Sequence, residues 1–248
     1  MKTGLVSVTF RNLTPEEIVP LVHKAGLEAI EWGGDVHVPP QDPCRAQQVY
    51  ELCRTAGILT PSYGSYYRCG VTQTPFEEVC RAAKALHADT IRVWAGDVGS
   101  RECSPERREE ITADARRIAK IAGEDGLTVA FEFHNGTLTD YAASGLQLIQ
   151  KMGCNNARLY WQPLRMHDFQ TNRENLKAVG EHLANLHAFG NQSATIPMEQ
   201  SAEEWEAYKA VLNAIPGSEQ RVAYLEFVRE GSVEQFFEDA ACLRRILG

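Results

Sequence analysis

TIRVWAGDVGSRECSPERREEITADARRIAKIAGEDGLTVAFEF, residues 90–133, holds one complete strand–helix–strand unit. Its two ends, TIRVW (Thr90–Trp94) and LTVAFEF (127–133), are short runs rich in β-branched and aromatic residues, the composition that suits a strand. The segment between them predicts a helix over Pro105–Glu124, with Ile111, Ile118 and Ile121 as its core stripe. Gly126 stands just past it, where a left-handed cap residue is wanted. Two strands joined by a helix in this way run parallel, because the helix carries the chain back to the starting edge.

The same rhythm extends in both directions. Toward the N-terminus, GLVSVT (4–9) reads as a strand, and Thr14-Pro15-Glu16-Glu17 supplies an N-cap, a proline at the first helical position and first-turn acids. That helix stops near Gly26; strands at 29–32 and 59–63 and helices at 43–56 and 75–86 follow. Toward the C-terminus the spacing predicts helices at 141–152, 172–183 and 202–214, strands at 158–161, 185–189 and 222–228, and a closing helix Val233–Leu247. Eight β-then-α units in 248 residues favour closure into a (β/α)8 TIM barrel over an open doubly wound sheet. No GxGxxG or Walker-type loop follows a strand, which weakens a nucleotide-binding alternative. With no linker or low-complexity tract, one domain over residues 1–248 is expected.

A net charge of −8 argues against a binder of the phosphate backbone, which needs surplus Lys and Arg. Seven scattered Cys without a CxxC pair read as reduced thiols, and no secretory signal or membrane-length apolar run is recognisable. The expectation is a cytoplasmic protein without nucleic-acid or membrane partners.

In a barrel of parallel strands, chemistry collects where strands end and βα loops begin. Glu31, Glu132, His134, Gln162, His187 and Glu226 fall there. Alternation assigns their directions. In LTVAFEFH, Val129, Phe131 and Phe133 suit the layer beneath the helices, so Glu132 and His134 point into the mouth. By the same reading Leu186 and Ala188 face out and His187 in; Leu225 and Phe227 face out and Glu226 in. A single inward Glu is commonly a core ion-pair partner. Three polar residues at the ends of strands that are normally continuous apolar runs point instead to function. Two carboxylates, an imidazole and the Gln162 amide oxygen make a reasonable divalent-metal site, since crowded carboxylates need a cation.

At these residues the chain resembles the sugar phosphate isomerase/epimerase group of the xylose isomerase-like superfamily, over essentially its whole length. The opening KTGLVSVTFRNLTPEEIVPLVHKAGLEAIEWGG is similar to the family's first βαβ unit. The resemblance implies one divalent metal on a Glu after strand five, an Asp after strand six, a His on strand seven and a Glu on strand eight. FEFH, NLHAF and YLEFV then supply Glu132, His187 and Glu226. Strand six departs from the family: LYWQPLRMHD puts Gln162 where Asp is expected and Arg165 where His is expected. With two anionic ligands rather than three, affinity should fall or shift between metals. Mn²⁺ or Mg²⁺ is favoured, then Zn²⁺ or Co²⁺. His167 or Asp168 would compensate if their loop folds back.

The resemblance further implies that Glu132 and Glu226 are a catalytic acid/base pair flanking a cis-enediolate, making the chain an isomerase or epimerase of a small sugar or keto-sugar. A dehydratase using the same early chemistry and a catalytically degenerate sugar-binding barrel are the alternatives. The superfamily's apurinic endonucleases fit poorly, for they need many His ligands and bind DNA. Expected substrate contacts are Glu31, Trp32, His37, Arg92, His134 and Arg165, with Arg92 equally able to pair with Glu31. Arg11 is a further anion handle, and Phe10, Tyr66 and Tyr67 are loop aromatics placed to cover a sugar ring. Relatives often pair, so a homodimer is compatible with the resemblance.

Overall fold

The computed structural model describes residues 1–190 and 196–248. Eight parallel strands close in sequence order: β1 (Lys2–Val6), β2 (Ala29–Gly33), β3 (Leu59–Arg68), β4 (Thr90–Trp94), β5 (Thr128–Glu132), β6 (Ala157–Trp161), β7 (Leu183–Ala188) and β8 (Val222–Leu225). Pairing of β1 with β8, from Lys2 opposite Val222 to Leu5 opposite Leu225, shuts the ring. The crossovers carry α1 (Pro15–Ala25), α2 (Pro43–Thr55), α3 (Phe76–Ala85), α4 (Pro105–Glu124), α5 (Ala142–Met152), α6 (Phe169–Val179), α7 (Ala202–Leu212) and α8 (Val233–Leu247).

Local chemistry starts and stops these elements. α1 opens with a capping box, in which Glu17 Oε2 accepts from the Thr14 backbone N–H at 2.7 Å, and it ends on left-handed Gly26. Ser104 caps α4 by accepting from the Arg107 N–H. The core divides as strand alternation demands. Leu5, Ile30, Ile91, Val129, Phe131, Leu159, Leu186 and Leu225 join the large layer between sheet and helices. Val6, Ala29, Ala130, Tyr160, Val222 and Tyr224 form a separate cluster inside the ring.

Several boundaries differ from the sequence expectation. β1 stops at Val6, because Ser7–Phe10 tightens into a 3-10 turn where Ser7 Oγ accepts from the Gly33 N–H at 2.9 Å. β3 continues five residues past Tyr63, to Arg68. α6 begins at Phe169, since Asp168 caps it by accepting from the Thr171 N–H at 2.7 Å, and it ends before Gly180, leaving Leu183 to open β7. β8 ends at Leu225 because Phe227 takes a left-handed backbone with φ 60°. Phe227 therefore leaves the outer layer expected for it and stands at the mouth, 38% exposed, with its N–H on Thr9 Oγ1. Among the described residues, no helix is long and apolar enough to cross a membrane.

Candidate active site

Five strands send a charged side chain to the floor of the barrel mouth: Glu31 from β2, Arg92 from β4, Glu132 from β5, His187 from β7 and Glu226 from just past β8. Arg92 is 2% exposed and bridges two carboxylates. Its Nε meets Glu31 Oε1 at 2.7 Å and its Nη1 meets Glu132 Oε2. Gly64 on β3 makes room for it, since a Cβ there would lie 2.6 Å from Arg92 Nη2. Ser62 donates to the other Glu31 oxygen at 2.6 Å. Glu132 is engaged at both oxygens: Trp94 Nε1 donates to Oε2 at 2.5 Å and Gln162 Nε2 to Oε1 at 3.0 Å.

His187 is fully buried among three carboxylates. Nε2 lies 3.3 Å from Glu31 Oε1; Nδ1 lies 3.5 Å from Glu132 Oε1 and 3.4 Å from Glu226 Oε2. Burial works against an imidazolium here, yet Glu226, Glu132 and Glu31 outweigh it and hold the ring's pKa well above the usual histidine value. For Glu31 and Glu132 burial raises the pKa, but the Arg92 guanidinium overrides it. Glu31 falls far below the usual carboxylate range and Glu132 to about 2.

This floor fits a divalent cation. Glu132, His187 and Glu226 each offer one ligand atom, all within 4.8 Å of one another. Two buried atoms beside them, His187 Nδ1 and Gln162 Oε1, have no hydrogen-bond partner among the described residues. Glu31 on Nε2 fixes which imidazole nitrogen faces the cluster, the arrangement that carboxylates commonly impose on metal-bound histidines. With the imidazole neutral, as a metal ligand must be, three carboxylates against one guanidinium leave two formal negative charges, which one divalent ion matches.

Above the floor is a cavity of about 400 Å³. Of the residues expected to meet substrate, Arg92, His134 and Arg165 line it, as do Glu132, Gln162 and Glu226. Arg11 and Tyr66 line it too. The structure does not bring the rest of the set to this cavity. Trp32 is fully buried in the outer layer, because its neighbour Glu31 takes the inward direction, and it lies edge-on to His37. His37 is held behind the rim between Ser7 Oγ at 2.9 Å and the Leu13 carbonyl at 3.1 Å. Glu31 lies beneath the cavity, fully buried. Phe10 packs on Phe236, and Tyr67 reaches Asp114 on α4. His167 does not fold back to the cluster: its Nε2 is on the Asp140 carbonyl at 2.7 Å, and Asp168 is spent on the α6 cap. Asn135, Phe189 and Phe227 line the cavity and escaped the sequence reading. Only the position of Asn135, directly after FEFH, carried a signal.

A closed (β/α)8 barrel with two Glu and a His converging at its C-terminal mouth defines a recognisable class of protein. The chain belongs to the xylose isomerase-like TIM barrel family, whose sequence profile matches residues 19–242. A 3-dehydroshikimate dehydratase of Bacillus anthracis is 24% identical over 171 residues, 64% of this chain; the match spans 60% of that relative's length. Among solved structures, a probable 3-DHS dehydratase from Bacillus anthracis involved in petrobactin synthesis superposes with a TM-score of 0.82. It is 17% identical, over 98% of this chain and 99% of that one. D-psicose 3-epimerase with D-tagatose from Clostridium cellulolyticum H10 gives 0.76 at 15% identity, over 100% and 99%. Dehydratases and sugar epimerases thus share this fold.

Proposed function

We propose that this chain is a metal-assisted dehydratase of a small hydroxylated keto acid. The observation that carries the reading is the unequal state of its two mouth carboxylates. Glu132 accepts from Arg92, Trp94 and Gln162 and is held at a pKa near 2, so it is a poor carrier of protons at neutral pH. Among the described residues, the ion-pair contact of the Glu226 carboxylate is with His187 Nδ1 at 3.4 Å, and it faces the cavity. Epimerisation by proton transfer on two faces needs two working bases; elimination of water needs one.

A divalent cation on Glu132, His187, Glu226 and the Gln162 amide oxygen would supply Lewis acidity to the substrate carbonyl. Glu226 removes the proton from the carbon beside that carbonyl, and the hydroxyl on the next carbon is then lost. Arg11 and Arg165 give the cavity donors for a carboxylate. Trp94, Phe189 and Phe227 supply apolar walls for a ring. 3-Dehydroshikimate, on which the curated relative acts, combines a ketone, hydroxyls and a carboxylate on one ring.

A second reading is the sugar epimerase with Glu132 and Glu226 as acid/base pair. It is favoured by the way each presents an oxygen to His187 Nδ1, at 3.5 and 3.4 Å. The test is the Mn²⁺-loaded protein in D₂O with 3-dehydroshikimate and a panel of ketohexoses, followed by NMR. Water loss from the keto acid with no ketose turnover supports the dehydratase. Deuterium incorporation into an epimerised ketose, with the keto acid untouched, replaces it with the epimerase.

A further inference from the structure

Tyr66 sits in a backbone conformation that bulky side chains avoid, with φ 58°. Its surroundings hold it there. One residue back, Ser65 Oγ donates to the Arg92 carbonyl at 2.7 Å; one residue on, the Tyr67 N–H donates to Ser65 Oγ at 3.2 Å. The result of this constraint is to turn the Tyr66 ring into the cavity, edge-on to Trp94 with centroids 5.2 Å apart. The neighbouring Tyr67 fills the outer layer, while Tyr66 packs against the cluster inside the ring.

The hydrogen bonding of the phenol is decided by donor count. Arg11 Nη2 lies 3.2 Å from Tyr66 Oη, and a guanidinium can only donate. Tyr66 Oη is therefore the acceptor, and its own proton has no acceptor among the described residues. Arg11 is itself anchored, with Nη1 on Asp35 at 2.7 Å. Burial raises the Tyr66 pKa to about 12 against the pull of Arg92, so the proton is present at neutral pH. Both Arg11 and Arg92 have their guanidinium carbons within 6 Å of the ring centroid, at 5.8 and 5.4 Å.

From this geometry we propose that Tyr66 is the proton donor to the departing hydroxyl, a catalytic residue that lines the same cavity as Glu226. The proposal rests on the dehydratase reading. Glu226 takes the proton from the carbon beside the carbonyl. The C–O bond on the next carbon breaks with its electron pair on oxygen, and the Tyr66 proton goes to that oxygen, so that water leaves. The phenolate remaining faces the Arg11 and Arg92 guanidiniums. It regains a proton from Glu226 by way of solvent, and both groups return to their starting states.

The test is Tyr66→Phe in the Mn²⁺-loaded full chain, with 3-dehydroshikimate in D₂O. Phenylalanine keeps the ring and the backbone and removes only the hydroxyl; an unchanged circular dichroism spectrum establishes folding. The expected result is a fall in kcat for dehydration of about 10²-fold, the contribution of one general acid, with KM moved by less than about threefold. Exchange of the substrate's α-hydrogen with solvent should continue at the wild-type rate, since Glu226 is untouched. An analogue carrying fluoride in place of the leaving hydroxyl should react at nearly equal rates in variant and wild type, because fluoride departs without a proton. Dehydration by the variant at near-wild-type rate overturns the assignment of Tyr66. So does a parallel loss of exchange and dehydration, or a fluoride reaction slowed as much as the natural one. A wild-type protein that exchanges the α-hydrogen but never loses water overturns the dehydratase reading instead.

Discussion

Replacing Arg92 with Met tests the electrostatic floor directly. The side chain is 2% exposed and is the cation shared by Glu31 and Glu132, themselves 0% and 3% exposed at their side chains. Removing one partner of a buried ion pair typically costs about 3–5 kcal/mol, because the remaining charge is left without compensation. For a chain of 248 residues, 1 kcal/mol corresponds to roughly 2 °C in Tm, so the metal-free variant should melt about 6–10 °C below wild type at pH 7. The pH dependence follows from the signs. In the wild type both carboxylates have folded pKa values below their unfolded ones. The stability they contribute is complete above the unfolded value and is lost only as pH falls toward about 2, the folded value of Glu132. Wild-type stability from this source is therefore flat between pH 7 and 5. Without Arg92 the largest influence opposing burial is gone from Glu31 and Glu132, so their folded pKa values rise and protonation relieves the variant as pH falls. The gap between the two proteins should narrow from pH 7 to pH 5, and added Mn²⁺ should narrow it at pH 7. Urea unfolding at both pH values, with and without Mn²⁺, measures this. A loss below about 1 kcal/mol, or one that is constant across pH, would refute the view that Arg92 neutralises the floor.

On the proposed role of Glu226 as the base, Glu226→Gln should lower α-hydrogen exchange and product formation together by ~10²–10⁴-fold and should leave Tm within about 3 °C; NMR in D₂O and a thermal melt read the two effects. Gln162→Asp should tighten Mn²⁺ binding by about tenfold or more in titration calorimetry, because a negative ligand replaces a neutral one. The same variant should destabilise the metal-free protein, because Asp cannot replace the Gln162 donation to Glu132 Oε1 and the Phe133 carbonyl. Gly64→Ala would place a methyl 2.6 Å from Arg92 Nη2 and 3.1 Å from Glu31 Oε1, and overpacking of this kind costs about 1–3 kcal/mol, visible as a lower urea midpoint.

Periodicity alone carried the ring and the direction of its inward side chains, because successive strand residues must face opposite layers. Thus Ile91, Val93, Val129 and Phe131 lie in the outer core, while Arg92 and Glu132 meet across the floor. What failed was any residue whose placement depends on tertiary contacts of the loops. β8 predicts an outward Phe227, but the Thr9 hydroxyl from the first loop takes its N–H and the backbone turns left-handed. His37 reads as a mouth residue because it follows β2, yet Ser7 and Leu13 pull it behind the rim. Trp32 was legible in principle: the alternation that sends Glu31 inward sends its neighbour outward.

The floor and the rim of this mouth have separate origins in the chain. Glu31, Arg92, Glu132 and His187 stand on strands that the hydrogen-bonded ring holds in register; Arg11, Asn135, Arg165 and Phe227 stand on the segments between strands and helices. A change in a connecting segment can thus re-aim recognition without disturbing the buried cluster, while a change in the floor perturbs its linked charges together. New substrates are accessible to such a molecule by single exchanges at its edge. New elementary chemistry would demand several simultaneous exchanges at its centre, so descendants of this chain should diversify in what they accept well before they diversify in the first bond they break.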